Sequence, residues 1–162
     1  MKKKETWSFD YLIYEDPFEL SLQDQRLLKK AKDSLDNAYA PYSGLRVGAA
    51  VILSDNQILT GANQENAAFP ISLCAEQIVL NYAGSNYPDK TITTIAVSAK
   101  HVRNKIDQPV IPCGGCRQSL SEFEDRQHQP IRVLLQGETG IIFLFNSVKD
   151  ILPFSFSRTY IF

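Results

Sequence analysis

Apolar residues follow helical spacing in some segments of the chain and strand-like runs in others. After Ser21, a residue type that caps helix N-termini, apolar side chains recur every three or four positions, at Leu27, Leu28, Ala31, Leu35 and Ala38. The turn-forming residues 40–44, "APYSG", are expected to end this helix. Two apolar runs, 45–53 and 57–63, flank the polar residues 54–56, a pattern typical of a β-hairpin.

From residue 74 onward, predicted helices and strands alternate. One helix is expected to begin at Cys74 and another near Cys113. β-Branched or apolar runs predict strands over residues 91–99, 131–136 and 141–145, and a short helix is expected before Pro153. This alternation indicates an α/β fold, a sheet with helices packed on its faces. Residues 6–14 alternate loosely and are expected to form an extended arm or an edge strand.

The length and charge of the chain narrow the class of protein. With 162 residues it has the size of one domain. A net charge of −1 does not favour tight binding to a polynucleotide. No apolar stretch reaches the length of a membrane helix, and no apolar run follows the basic opening residues. We therefore expect a soluble cytoplasmic protein that binds neither nucleic acid nor membranes.

The chain has three cysteines, and they suggest a metal site. Cys74 and the pair Cys113 and Cys116 are both predicted at helix starts, where the helix dipole and free N–H groups favour thiolates. A lone cysteine is usually a small buried hydrophobe, and a lone C-x-x-C is ambiguous between redox and metal roles. Together, however, three thiolates suit a catalytic zinc with an open fourth position. A structural zinc would need His101 or His128 as a fourth ligand.

Glu76, two residues after Cys74, is the candidate proton carrier. A glutamate in a first helical turn is most often only a partner of the helix dipole. Beside a metal held by Cys74, its carboxylate is expected to face the open coordination position and to take a proton from water there. We therefore predict that the thiol holds the metal and the carboxylate moves the proton.

Several segments occur in a characteristic order: "APYSGLRVGAAV" at 40–51, "GANQENAAFP" at 61–70, "CAE" at 74–76, "PCGGCRQ" at 112–118 and "ILPFSF" at 151–156. In these segments, from about residue 21 to 156, the chain resembles the cytidine deaminase family, a group of zinc deaminases with a P-C-x-x-C signature. The resemblance implies a single catalytic domain over residues 21–162, preceded by an N-terminal extension over residues 1–20. It also implies a three-layer α/β/α sandwich with a mixed central sheet, and a homotetramer.

The same resemblance implies roles for individual residues. One zinc per chain would be held by the three cysteines, with Glu76 as the proton shuttle. Asn63 and Glu65 would bind the ribose hydroxyls, and the backbone of Ala75 would face the base. Phe156 matches an aromatic residue that, in the family, reaches a neighbouring subunit's site.

The chain departs from the family pattern at three positions. Leu45 stands where the family often has a phenylalanine against the pyrimidine, and Phe69 where a tyrosine is common. Gln77 stands where three-cysteine members usually carry arginine, which predicts a more electron-rich zinc site unless Gln77 merely faces solvent. These changes bear on rate and on selectivity for the base.

The predicted function is hydrolytic deamination of cytidine and deoxycytidine to uridine and deoxyuridine, with release of ammonia, in pyrimidine salvage. Both substrates carry the 3′-hydroxyl, so the sequence does not rank them. Three rival functions stay open: deamination of a related aminopyrimidine nucleoside such as blasticidin S, editing of a polynucleotide, and a zinc-stabilised binding module without turnover.

Overall fold

A computed structural model describes residues 2–161 of the chain. Its centre is a mixed six-stranded sheet with the order β1-β6-β5-β4-β2-β3. The strands are β1 (Leu12–Tyr14), β2 (Leu45–Leu53), β3 (Ile58–Ala62), β4 (Ile92–His101), β5 (Arg132–Gln136) and β6 (Ile142–Phe145). Of these, β4 and β5 run parallel, and each of the other neighbouring pairs is antiparallel.

Three α-helices cover the two faces of the sheet: α1 (Leu22–Ser34), α2 (Ala75–Asn86) and α3 (Gly114–Gln127). Helix α1 packs on one face in a cluster with Ala50, Ile52 and Leu134. Helices α2 and α3 pack on the opposite face, in a cluster that includes Val51 and Leu135. Because neighbouring residues of a strand point to opposite faces, each buried strand supplies both clusters. The expected three-layer α/β/α architecture is confirmed.

Most predicted elements are present, with shifted ends. The hairpin is β2 and β3, paired from Gly48–Ala62 to Ile52–Ile58. The side chain of Ser21 accepts from the backbone N–H of Asp24 and caps α1, as predicted. The helix ends at Ser34, before Ala38, and continues only as a short 3-10 turn. The predicted short helix before Pro153 is a 3-10 turn over Val148–Asp150.

Residues 6–14, called here the N-terminal arm, end in the edge strand β1, which pairs with β6. This confirms the edge-strand prediction for three of the nine residues. The division of the chain at residue 20 stays a prediction, and its end points Met1 and Phe162 lie outside the described residues. Across residues 2–161, no helix combines the length and apolar character needed to cross a bilayer.

Tight contact between β3 and α2 positions the start of α2. A Cβ added at Gly61 would lie 2.8 Å from the carbonyl oxygen of Ala75 and 3.0 Å from the backbone nitrogen of Val79. Only glycine allows the strand to approach the first turn of the helix this closely. The first turn of α2, with Cys74 before it and Glu76 within it, is therefore set directly against the hairpin.

Candidate active site

The three cysteines meet where α2 and α3 begin. Cys74 is the N-cap of α2, Cys113 is the N-cap of α3, and Cys116 lies in the first turn of α3. Their Sγ atoms all lie within 4.8 Å of one another, and those of Cys113 and Cys116 are 3.5 Å apart. Neither N-cap side chain makes a capping hydrogen bond to its own helix, so the sulfurs of Cys74 and Cys113 face each other and Cys116 instead.

This cluster fits zinc. Zinc–sulfur bonds of about 2.3 Å in a tetrahedral arrangement place sulfurs about 3.8 Å apart. The sulfurs of Cys113 and Cys116 are 3.5 Å apart, and no pair in the cluster is more than 4.8 Å apart. Among residues 2–161, the cluster of potential ligand atoms contains these three cysteines alone. The Nδ1 atom of His101 accepts from the backbone of Arg103 and Asn104, and His128 caps the far end of α3. The set of three ligands is typical of a catalytic zinc, which keeps one position for water.

Without a metal, the thiols share their protons unequally. The hydrogen bond from Cys116 lowers the pKa of the Cys74 thiol to about 7. The pKa of Cys116 itself is raised, because its proton is held by Cys74 and because it is completely buried. A divalent cation would remove this competition by stabilising all three thiolates together.

Glu76 is buried beside the cysteines, with 4% of its surface exposed. Burial raises the pKa of its carboxyl group, and hydrogen bonds from its own backbone N–H and from the Cys116 thiol offset part of that rise. Desolvation disfavours the charged form, so this carboxyl group takes up a proton more readily than an exposed glutamate does. A general acid–base benefits from a pKa closer to neutrality.

A cleft of about 410 Å³ opens onto this cluster. Cys74, Glu76 and Cys113 line it, and so do Asn63 and Glu65. Its other lining residues are mostly small or apolar: Ser43, Leu45, Val47, Gln64, Ser72, Leu73, Val97, Val110 and Ile111. The cleft is large enough for a small ligand, and it combines apolar walls with a few polar groups.

The side chain of Asn63 bridges two backbone groups of β2 at the cleft. Its side-chain Oδ1 accepts from the backbone N–H of Val47 at 2.8 Å, and its Nδ2 donates to the carbonyl of Leu45 at 2.9 Å. Strand β3 ends at Ala62, so the Asn63 amide makes these hydrogen bonds to the backbone of β2 in place of a further strand residue. One N–H of the amide and a lone pair on its oxygen stay available to a ligand.

Glu65 is tied to the loop that follows α1. Its carboxylate accepts from the hydroxyl and backbone N–H of Ser43 and from the backbone N–H of Tyr42. The Ser43 hydroxyl in particular lowers the pKa of this carboxyl group. A carboxylate has about four acceptor sites, so it can accept a further hydrogen bond from a hydroxyl in the cleft.

Comparisons with known proteins agree with this geometry. A family described as "Cytidine and deoxycytidylate deaminase zinc-binding region" matches residues 21–129. The cytidine deaminase of Halalkalibacterium halodurans is 36% identical over 133 residues, which are 82% of this chain and 93% of that protein. That of Sporosarcina psychrophila is 32% identical over 83% of this chain and 91% of its own length.

The fold of this chain is also similar to that of a solved cytidine deaminase structure. The crystal structure of cytidine deaminase from Burkholderia pseudomallei has a TM-score of 0.69 with this chain. The identity is 33%, with 81% of this chain and 97% of that chain covered. The chain belongs to the cytidine deaminase family. The predictions of family, fold class and zinc as cofactor are confirmed.

The remaining residues that the family resemblance singles out lie in different places. Leu45 lines the cleft, at the start of β2. Ala75 is completely buried at the first position of α2. Phe156 does not line this cleft; it is 62% exposed and stacks on Tyr160 at 5.7 Å. Their roles in substrate binding stay predictions.

The other two residues that depart from the family pattern, Phe69 and Gln77, each have identifiable neighbours. Phe69 is exposed and packs edge-on against Tyr42, with ring centroids 5.7 Å apart. The side-chain nitrogen of Gln77 lies 3.7 Å from a Cβ built at Gly115, and the Cys113 sulfur lies 3.9 Å from the same point. The amide of Gln77 therefore points between α2 and α3, which favours an influence on the zinc site over a purely solvent-facing position.

Sequence reasoning missed part of the cleft wall. Val110 and Ile111 border the cleft, although they lie between the predicted strand 91–99 and the helix predicted near Cys113, where no site residue was expected. Val97 reaches the cleft from β4. The available signal was the apolar pair directly before Pro112 and Cys113, which contrasts with the polar residues ahead of it.

Proposed function

We propose that the protein catalyses hydrolytic deamination of cytidine and deoxycytidine to uridine and deoxyuridine, with release of ammonia. The observation that carries this proposal is a cleft of about 410 Å³ lined by the buried carboxylate of Glu76 and by two of the three clustered thiols. The function of the named relatives supports it. The zinc-binding family match and the cysteine cluster support one zinc per chain.

In this mechanism Glu76 moves protons. Cys74, Cys113 and Cys116 would hold the zinc, which would supply a Lewis acid and lower the pKa of a water molecule bound to it to about 7. The Glu76 carboxylate accepts the proton that water releases as its oxygen forms a bond to C4 of cytosine. Glu76 then gives this proton to N3, accepts the remaining proton from the new hydroxyl on C4, and passes it to N4 as the C4–N4 bond breaks and the C4 carbonyl forms. Water and cytidine thus become uridine and ammonia, and Glu76 ends in its starting state.

The other polar groups of the cleft would orient the nucleoside. The free N–H of Asn63 can donate to a sugar hydroxyl, and the carboxylate of Glu65 can accept from one. Leu45 lies on the cleft wall, where it would pack against the pyrimidine. The first-turn backbone at Ala75 would face the base.

Turnover of free cytidine tests this proposal. The zinc-loaded protein is expected to convert cytidine and deoxycytidine to their uracil products, followed by the change in ultraviolet absorbance and by ammonia release. Parallel assays use blasticidin S and a cytosine-containing single-stranded oligonucleotide. Turnover of either one alone would replace the proposal with the corresponding rival function. Binding of cytidine without any ammonia release would identify a binding module and contradict the proposal.

We also propose a homotetramer in which Phe156 completes a neighbouring subunit's cleft. Its exposure, and that of Phe154 and Tyr160, supports an apolar surface that a partner covers. Sedimentation at the assay concentration is expected to show a tetramer, and Phe156→Ala is expected to raise the KM for cytidine. Phe18→Ala, at another exposed phenylalanine, is the control. A fully active monomer would rule out this assembly.

The cellular setting is proposed on similar grounds. All three cysteines are free thiols, which suits a reducing compartment. We propose a cytoplasmic role in pyrimidine salvage, since the products are free nucleosides. The family match begins at residue 21, which supports residues 21–162 as the catalytic domain and residues 1–20 as an extension.

A further inference from the structure

The C-terminal segment, defined here as residues 151–161, is held to the domain at Phe156. The side chain of Gln118 donates to the Phe156 carbonyl at 2.7 Å, and it accepts from the Phe156 backbone N–H at 3.1 Å. This pair of bonds fixes the backbone at one residue in the manner of a strand partner. Gln118 lies two positions after Cys116, so the attachment point belongs to the same helix as two metal ligands.

Two further contacts hold this segment before Phe156: the Arg117 guanidinium donates to the Ile151 carbonyl at 2.8 Å, and the N-terminal arm contacts Phe154. The rings of Trp7 and Phe154 lie 6.4 Å apart, tilted by 45°. Phe154 is two residues before Phe156 in the sequence. Trp7 is therefore placed to set the path of the chain on the side of Phe156 that Gln118 does not hold.

The arm itself is anchored to the sheet. Tyr11 stacks on Phe145 at 5.2 Å and meets Phe143 edge-on at 5.0 Å. Phe9 also contacts Phe145, at 6.4 Å. Next along the chain, β1 pairs with β6 from Leu12–Leu144 to Tyr14–Ile142. Aromatic contacts thus hold Phe9 and Tyr11 against β6, and two residues before Phe9 the chain reaches Trp7, which contacts the C-terminal segment.

We propose that the N-terminal arm positions the C-terminal segment, with Trp7 as the positioning residue that holds Phe154 and thereby fixes where Phe156 is presented. The arm lies outside the region that matches the deaminase family, residues 21–129, so this is an added feature of the extension. The kinetic consequence rests on the proposed function, because it assumes that Phe156 contacts substrate in a neighbouring subunit. The contact between arm and segment does not depend on that assumption.

The structural half of the proposal can be tested with the chain's only tryptophan, which is Trp7. Phe154→Ala is expected to shift its fluorescence emission to longer wavelength and to make quenching by acrylamide more efficient. Phe18→Ala, at a phenylalanine that is 83% exposed, is the matched control and should leave both properties unchanged. Identical emission and quenching in wild type and Phe154→Ala would overturn the proposal.

The kinetic half uses Trp7 variants of the full-length, zinc-loaded protein. Trp7→Ala is expected to raise the KM for cytidine about two- to tenfold, the range to which the free energy of one aromatic pair corresponds. Its kcat and zinc content should change little, because Glu76 and the cysteines are untouched. Trp7→Phe should restore most of the affinity, and Phe18→Ala should match wild type. Trp7 is 55% exposed, so its removal is not expected to prevent folding.

The outcomes separate this proposal from the proposed function. An unchanged KM in Trp7→Ala, with active wild type, would show that the arm merely covers Phe154 and would overturn the positioning role. A wild-type protein that deaminates none of the substrates would contradict the proposed function instead. In that case, hydrogen exchange of residues 152–161 decides: faster exchange in Trp7→Ala supports the positioning role, and equal exchange overturns it.

Discussion

Glu76→Gln is expected to keep its zinc and to lose about 10²–10⁴-fold in kcat for cytidine, the usual contribution of a positioned general acid–base. Glutamine keeps the shape of the side chain but can no longer accept and release a proton. Glu76 lines the cleft with Cys74 and Cys113 but is itself buried, so bulk water cannot readily take over its role. Elemental analysis and steady-state kinetics on the same preparation measure both quantities.

The matched control is Glu122→Gln, which removes the same charge from an exposed position on α3. It should keep wild-type kinetics and zinc content. Near-normal turnover in Glu76→Gln would defeat the proposed mechanism. If Glu76→Gln loses both its zinc and its turnover, Glu76 is needed to maintain the metal site. That outcome would also contradict a role confined to proton transfer.

Cys116→Ser is expected to lose most of its bound zinc and, with it, measurable deamination. Cys116 is completely buried in the first turn of α3, and it is the cysteine that shares a proton with Cys74. A serine hydroxyl is a far poorer zinc ligand than a thiolate, because it stays protonated near neutral pH. Elemental analysis gives the zinc content, and the ultraviolet assay gives the activity.

Thermal unfolding provides an independent readout of the same variant. A metal that binds only the folded state stabilises it, so a chelator should lower the Tm of wild type. The Tm of Cys116→Ser should hardly respond to the chelator. Gly114→Ala is the control in the same turn, because a Cβ there would meet no atom within 4 Å. Full zinc content in Cys116→Ser would remove this cysteine from the ligand set.

Short-range sequence patterns predicted the parts of the site that local structure determines, namely the helix starts and the hairpin. The starts of α2 and α3 follow from the change in periodicity at Cys74 and Cys113, and both helices begin within one residue of those positions. The hairpin follows from two apolar runs around the polar residues 54–56. Each of these signals lies within about a dozen residues, where local propensity and turn chemistry act.

Features that depend on distant partners were not predictable in the same way. Strand β4 extends to His101 because β2 pairs with it as far as Leu45, which no pattern within residues 91–101 reveals. The early end of α1 accompanies a buried bond from Ser34 to the carbonyl of Gly61 in β3. The position of Val110 in the cleft wall likewise depends on where its loop folds back. Tertiary pairing overrides local preference in these places.

The hydrogen bonds of Asn63 and Glu65 have a consequence for ligand affinity. Both side chains are already held by backbone groups of the free protein, at Leu45 and Val47 for the amide and at Tyr42 and Ser43 for the carboxylate. Ordering a flexible side chain on binding costs about 0.5–1.5 kcal/mol of conformational entropy. A nucleoside whose sugar meets these two groups would avoid most of that cost, because their rotamers are selected before it arrives.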